Sequence, residues 1–206
     1  MTAEEVIDRL RGLGSESYAR ILRNHGAQEP VLGVKTEELK KIQKSIRTDH
    51  RLALDLFATG IHDAMYLAGL LADDAQMTKK DLDRWVREAG CPALLEYTVA
   101  WVAAGSPLGR EIALEWIESP NEGIASAGWS TLAGLLALTP GDALDERELR
   151  ARLEHIRKTI HDQPNRVRYT MNGFLISAGI YVPSVSTYAK EIARAIGPVT
   201  LDMGGT

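Results

Sequence analysis

The sequence predicts an all-α fold, a curved solenoid of antiparallel helix pairs. Apolar residues recur at three- and four-residue spacing along nearly the whole chain, with little β-branched alternation. The connections between the periodic segments are short, which makes neighbouring helices antiparallel. The chain also echoes itself. Ala53-Leu54-Asp55-Leu56-Phe57 returns as Ala113-Leu114-Glu115-Trp116-Ile117, sixty positions on. Each block ends in a break, Thr59-Gly60 or Ser119-Pro120, and then enters a second helix rich in small residues, Ala64 to Gly69 and Ile124 to Gly128. Helix pairs of about 40 residues that repeat in this way indicate HEAT-like repeats, an α-α superhelix. A compact, non-repeating helical bundle is the structural alternative.

The elements follow in order. The pattern predicts helices near 2–11, 15–24, 36–47, 49–59, 61–73, 78–89, 92–104, 107–118, 121–138, 145–161, 164–178 and 183–196. Thr2 and Glu5 form a capping-box pattern at the first. Thr36, Thr78, Ser106 and Asp145 stand at starts. Gly14, Gly26, Gly60, Gly90 and Gly105 stand at ends. Pro92, Pro107 and Pro120 sit within or beside first turns. Ala68, Gly69, Ala127, Gly128 and Gly173 would let helices approach closely. One domain over 1–206 is expected, with an extended tail from about 198.

Composition bounds the function. The chain has 206 residues, 24 basic and 28 acidic, for a net charge of −4. A dedicated nucleic-acid binder carries a basic excess, so this chain would hold a phosphate backbone only through a local patch. Its one cysteine, Cys91, excludes a disulfide framework and fits a reducing, cytoplasmic setting. The acidic N-terminus does not read as a secretory signal. No apolar run approaches the roughly 20 residues that span a bilayer, so no membrane partner is expected. His155 and His161 are six apart and face different ways on a helix, so no metal site is expected. No phosphate loop or nucleophile elbow appears, and no cofactor is expected. Cys91 reads as a small packed residue.

The most informative stretch is Asn165-Arg166-Val167-Arg168-Tyr169-Thr170-Met171-Asn172-Gly173-Phe174. It starts just after Pro164, a natural helix-entry residue. Arg168 and Asn172 share a helical face, and Val167, Met171 and Phe174 fall opposite. Partial burial with a hydrogen bond is expected for Arg168 with Asn172. A basic stripe, Lys40, Lys44 and Arg47, has Leu39, Ile42 and Ile46 behind it. It reads as a solvated face or as a phosphate track. Glu96 and Tyr97 interrupt an otherwise apolar helix, and Tyr97 and Trp101 form an aromatic pair four apart. That pair reads as core or as a groove wall. Trp129 occupies the second helix of its repeat, as Asn172 does in the next.

Val34 to Ile42, the Ala113–Ile117 block, Ala127-Gly128-Trp129 and Asn165 to Gly179 together resemble the bacterial DNA alkylation repair proteins of the AlkD-like type. The resemblance runs from about residue 15 to 206, with its specific portion from Asn165 through Asp202-Met203-Gly204. It implies a helical solenoid with a basic concave face that holds duplex DNA. Glycosylase members excise cationic alkylated purines, using an aspartate beside tryptophans to stabilise an oxocarbenium-like sugar. Here Leu95-Glu96-Tyr97 replaces their Trp-Trp-Asp run, and Glu96 is the one catalytic carboxylate to nominate.

Two function classes follow. One is a repair-family protein that binds nucleic acid through its concave face, with weak or no alkylpurine glycosylase activity. Phosphates would meet Lys40, Lys44, Arg47, Arg166 and Arg168, bases would stack on Tyr97, Trp101 or Trp129, and Asn172 would line the same groove. The other is a non-catalytic scaffold for a protein or peptide. Oligomeric state is not written in the sequence.

Overall fold

A computed structural model describes residues 1–202. It is 75% helical and contains no strand among the described residues. The helices are α1 (Ala3–Leu13), α2 (Glu16–Asn24), α3 (Thr36–Ile46), α4 (His50–Phe57), α5 (His62–Leu71), α6 (Lys79–Glu88), α7 (Ala100–Gly105), α8 (Gly109–Trp116), α9 (Glu122–Leu138), α10 (Glu146–Thr159), α11 (Asn165–Tyr181) and α12 (Pro183–Ile196). A π-helical turn, Leu94–Val99, leads into α7. Every helix stands where the sequence pattern places it. Many ends are capped as expected: Thr2 with Glu5 and Thr78 with Asp81 form capping boxes, and Asp145 caps α10. Beyond Ile196 the chain leaves helix at Gly197 (φ 70°), and residues 198–202 form no regular element. Residues 203 and 204 of the motif-bearing tail lie outside the described residues.

By their contacts the described residues form two compact units, 1–102 and 103–202. In the first, α4 pairs with α5, and α5 also packs against α3 and the π turn. Phe57 of α4 stacks on Trp85 of α6 at 4.0 Å, and both rings are fully buried. A carboxylate pins the long connection before α3. Asp63, 1% exposed, accepts N–H bonds from Leu32 (2.7 Å), Gly33 (3.3 Å) and Val34 (2.7 Å). These backbone donors have no partner in a helix, so the side chain supplies one.

In the second unit α9 packs on α8 and on α11, and α12 packs on α10 and α11. Glu122 meets Arg166 and Trp129 meets Phe174. The two contacts advance together, so α9 and α11 run in the same direction. That is the stacking of equivalent second helices that a HEAT-like repeat requires. Close approach is written into two of the expected glycines. A Cβ on Gly69 would lie 2.4 Å from the Thr98 methyl, and one on Gly128 would lie 2.7 Å from the Ile117 nitrogen and 2.9 Å from the Trp116 Cβ. Gly173 departs from the expectation, because a Cβ there would meet nothing within 4 Å. Gly128→Ala should therefore destabilise by about 1–3 kcal/mol, since backbone atoms of α8 do not yield. Gly173→Ala should stabilise by up to about 1 kcal/mol through helix propensity alone. Thermal melts of the two variants check the opposite signs.

The turn between α5 and α6 holds a titrating group. Burial, and then the neighbouring Asp73, push the Asp74 carboxyl up to about 6. The native state thus holds this proton more tightly than the unfolded chain does. The stability it contributes is complete below about pH 4 and is lost as pH rises through about 6. Asp74→Asn should match wild type near pH 4 and exceed it by about 1 kcal/mol at pH 7.5, allowing for solvent screening. Denaturant titrations at both pH values measure this.

Candidate nucleic-acid interface

The basic stripe forms as expected. Leu39 and Ile42 face the core, Ile46 is half-buried, and Lys40, Lys44 and Arg47 are exposed. Lys41 is tied to Glu38 at 2.6 Å and Arg51 to Asp55 at 3.1 Å. Among the described residues, Lys40, Lys44 and Arg47 make no ion pair, so their charge faces solvent. Arg47 closes α3 at φ 68°, ψ −141°, a conformation that favours glycine. Holding a side-chain-bearing residue there costs on the order of 1–3 kcal/mol, and such residues cluster at ligand clamps.

The π turn governs the aromatic pair. The Ala100 N–H donates to the Leu95 carbonyl, five residues back. The extra residue in the turn rotates the side chains that follow. Leu94, Leu95, Thr98 and Val99 point inward, and Thr98 fits against Gly69. Tyr97 and Trp101 emerge 41% and 55% exposed, their rings 5.8 Å apart and nearly perpendicular. They are surface residues and not core. Glu96 goes the other way and is 3% exposed. Burial sets its carboxylate apart from the solvent-facing position expected of a group that meets a substrate. Single-turn π segments recur at functional sites.

Beside the π turn, Cys91 Sγ lies 3.7 Å from His62 Nδ1. Burial pushes the Cys91 thiol above its ordinary value, and the Glu96 charge adds to this against the Leu94 and Ala93 backbone. Burial also lowers the His62 imidazole. Both are held neutral, which leaves a packed thiol and not a nucleophile.

In the second unit, Pro164 brings no capping side chain to α11. Glu122 of α9 does that work: its Oε1 accepts the Arg166 N–H at 2.7 Å. Asn165 holds the tail, donating from Nδ2 to the Asp202 carbonyl at 2.6 Å and accepting the Asp202 N–H at 2.8 Å. Val167, Met171 and Phe174 are buried as expected. Arg166 lies over the Tyr169 ring at 4.4 Å, and Arg168 leaves from the other flank of the helix. Arg168 is half-buried as expected, but among the described residues its Nε has no hydrogen-bond partner. The expected hydrogen bond is therefore missing from that atom. Asn172 is half-buried and lines a groove between α11 and α12.

Trp129 is a correction. It is 2% exposed, packed at 5.6 Å against Phe174 and 6.2 Å against His155. It has no free face on which a base could stack. The buried spacing Ala125, Trp129, Leu132, Leu136 is a four-three-four core stripe that the sequence itself carries. Asp63 and Glu122, by contrast, act over about 30 and 44 residues. Nothing local marks either of them.

No helix of the described residues is long and apolar enough to cross a membrane. A solved structure matches 98% of this chain and 86% of its own, with a TM-score of 0.93 and 38% identity. It represents a new family of proteins related to the HEAT-like repeat DNA glycosylases with affinity for branched DNA structures. Uncharacterized proteins of Listeria innocua and Listeria monocytogenes are each 28% identical, covering 100% of this chain and 91% of theirs. The family model for DNA alkylation repair enzymes matches residues 6–194, and with the HEAT-like helical fold this places the chain in the DNA alkylation repair enzyme family.

Proposed function

We propose that this protein binds branched or locally unpaired DNA and does not excise alkylated bases. The observation that carries this reading is the π turn, which buries Glu96 while it presents Tyr97 and Trp101 to solvent. A glycosylase needs a carboxylate against the sugar. A binder of unpaired DNA needs aromatic faces, on which each base contributes about 1–3 kcal/mol by stacking. A branch point supplies such bases and a continuous duplex does not. Lys40, Lys44 and Arg47 would track phosphates by releasing their counterions, which needs only a local patch and is compatible with a net charge of −4. The affinity for branched DNA of the structurally similar family supports the same reading.

The test pairs binding with chemistry. Fluorescence anisotropy on a three-way junction and on a linear duplex of the same sequence should favour the junction. Alkylated duplex should release 7-methylguanine at the background rate, and Glu96→Gln should leave both results unchanged. Release that disappears in Glu96→Gln would make the protein an enzyme. Absence of binding to either DNA would move it to the protein-scaffold class.

A further inference from the structure

Between α11 and α12 runs a shallow groove of about 220 Å3. Ile176 and Ile180, one turn apart on α11, form one wall and stand 53% and 67% exposed. Gly179 keeps the floor low, and Ala193 of α12 lies opposite. Asn172 closes one end and Lys190 stands on the rim as the single charge among the lining residues. Elsewhere on α11, Val167, Met171, Phe174, Leu175 and Ala178 are buried, and Tyr181 at its end is 51% exposed. Two isoleucines turned to solvent beside a groove are surface that folding does not use.

We infer that this groove takes one unpaired nucleotide of the bound DNA, its base against Ile176 and Ile180 and its phosphate on Lys190. The chemistry matches part by part. Apolar side chains hold a base by its faces, as wedges do where bases unstack. The Asn172 amide carries both donors and an acceptor for a base edge. The Lys190 ammonium meets a phosphate. The groove is smaller than the roughly 300 Å3 at which drug-sized pockets begin, a fit for one flat ring system. A second copy of the chain is disfavoured by charge: paired face to face, two Lys190 would meet with no carboxylate in the lining.

This inference rests on the DNA-binding reading, and the experiment separates the two. Wild type, Ile180→Glu, Lys190→Ala and the control Ile21→Glu are titrated with the three-way junction and the linear duplex. Ile21 is likewise an exposed isoleucine, at 49%, on α2, so the control matches the change in surface chemistry. Ile180→Glu should lose about tenfold on the junction and little on the duplex. Lys190→Ala should flatten the junction salt slope by about one contact, and Ile21→Glu should match wild type. An unchanged junction-to-duplex ratio in Ile180→Glu overturns the groove while leaving DNA binding in place. A wild-type dimer that Ile180→Glu dissolves, seen by light scattering, also overturns it and makes the groove a self-interface. Wild type that binds neither DNA overturns the DNA reading and the groove together.

Discussion

Asp63→Ala should unfold the protein more readily than any surface change, by about 3 kcal/mol or more. The carboxylate accepts three backbone N–H groups, two of them in buried bonds. Alanine offers no acceptor, and each stranded buried donor costs about 1–3 kcal/mol. The melting temperature should fall by about 6–12 °C, at about 2–4 °C per kcal/mol for a chain of this size. Asp63→Asn should fall between, because it keeps one acceptor oxygen and turns an NH2 toward another donor. Asp55→Ala is the contrast. It breaks a surface pair with Arg51, which is 83% exposed, and should cost no more than about 1 kcal/mol. Equal melting temperatures for Asp63→Ala and Asp55→Ala would remove Asp63 from its structural role.

The effect matters for function because of what Asp63 anchors. The segment it holds leads into α3, whose outer face carries Lys40, Lys44 and Arg47. Chain direction into that helix is thus set from α5, about 30 residues away. A stripe that reads locally as a solvated helix face is positioned by a contact that is not local.

The same division runs through the comparison of sequence and structure. Helices announce themselves through short-range signals, such as the Thr2–Glu5 capping box or the small residues of α9, and all twelve were legible. Gly69 and Gly128 were legible for the same reason, since a small residue on an apolar face marks close packing. The π turn was not. Leu94 to Val99 reads as ordinary α-helix, and the close fit of Thr98 against Gly69 there is a contact between residues 29 apart in the chain. Glu96 is buried and Tyr97 exposed within that same turn, so part of the candidate site lies in the least legible feature. Trp129 matches Asn172 in its place within the repeat, but the four-three-four spacing of its own helix puts it in the core. Asn165 was legible as part of a motif, but its bond to Asp202 was not, because the tail has no periodicity to place it.

The basic stripe gives the most direct test of DNA binding. Junction affinity is measured for wild type and for Lys40→Glu/Lys44→Glu/Arg47→Glu across a salt series from about 50 to 200 mM. All three side chains are exposed, so circular dichroism and melting should be little changed. Each phosphate contact contributes about 0.9 to the slope of log affinity against log salt. The triple variant should be weakened by about a hundredfold or more at low salt, with a slope shallower by about 2–3. Junction binding with the same slope and affinity in both proteins would contradict it.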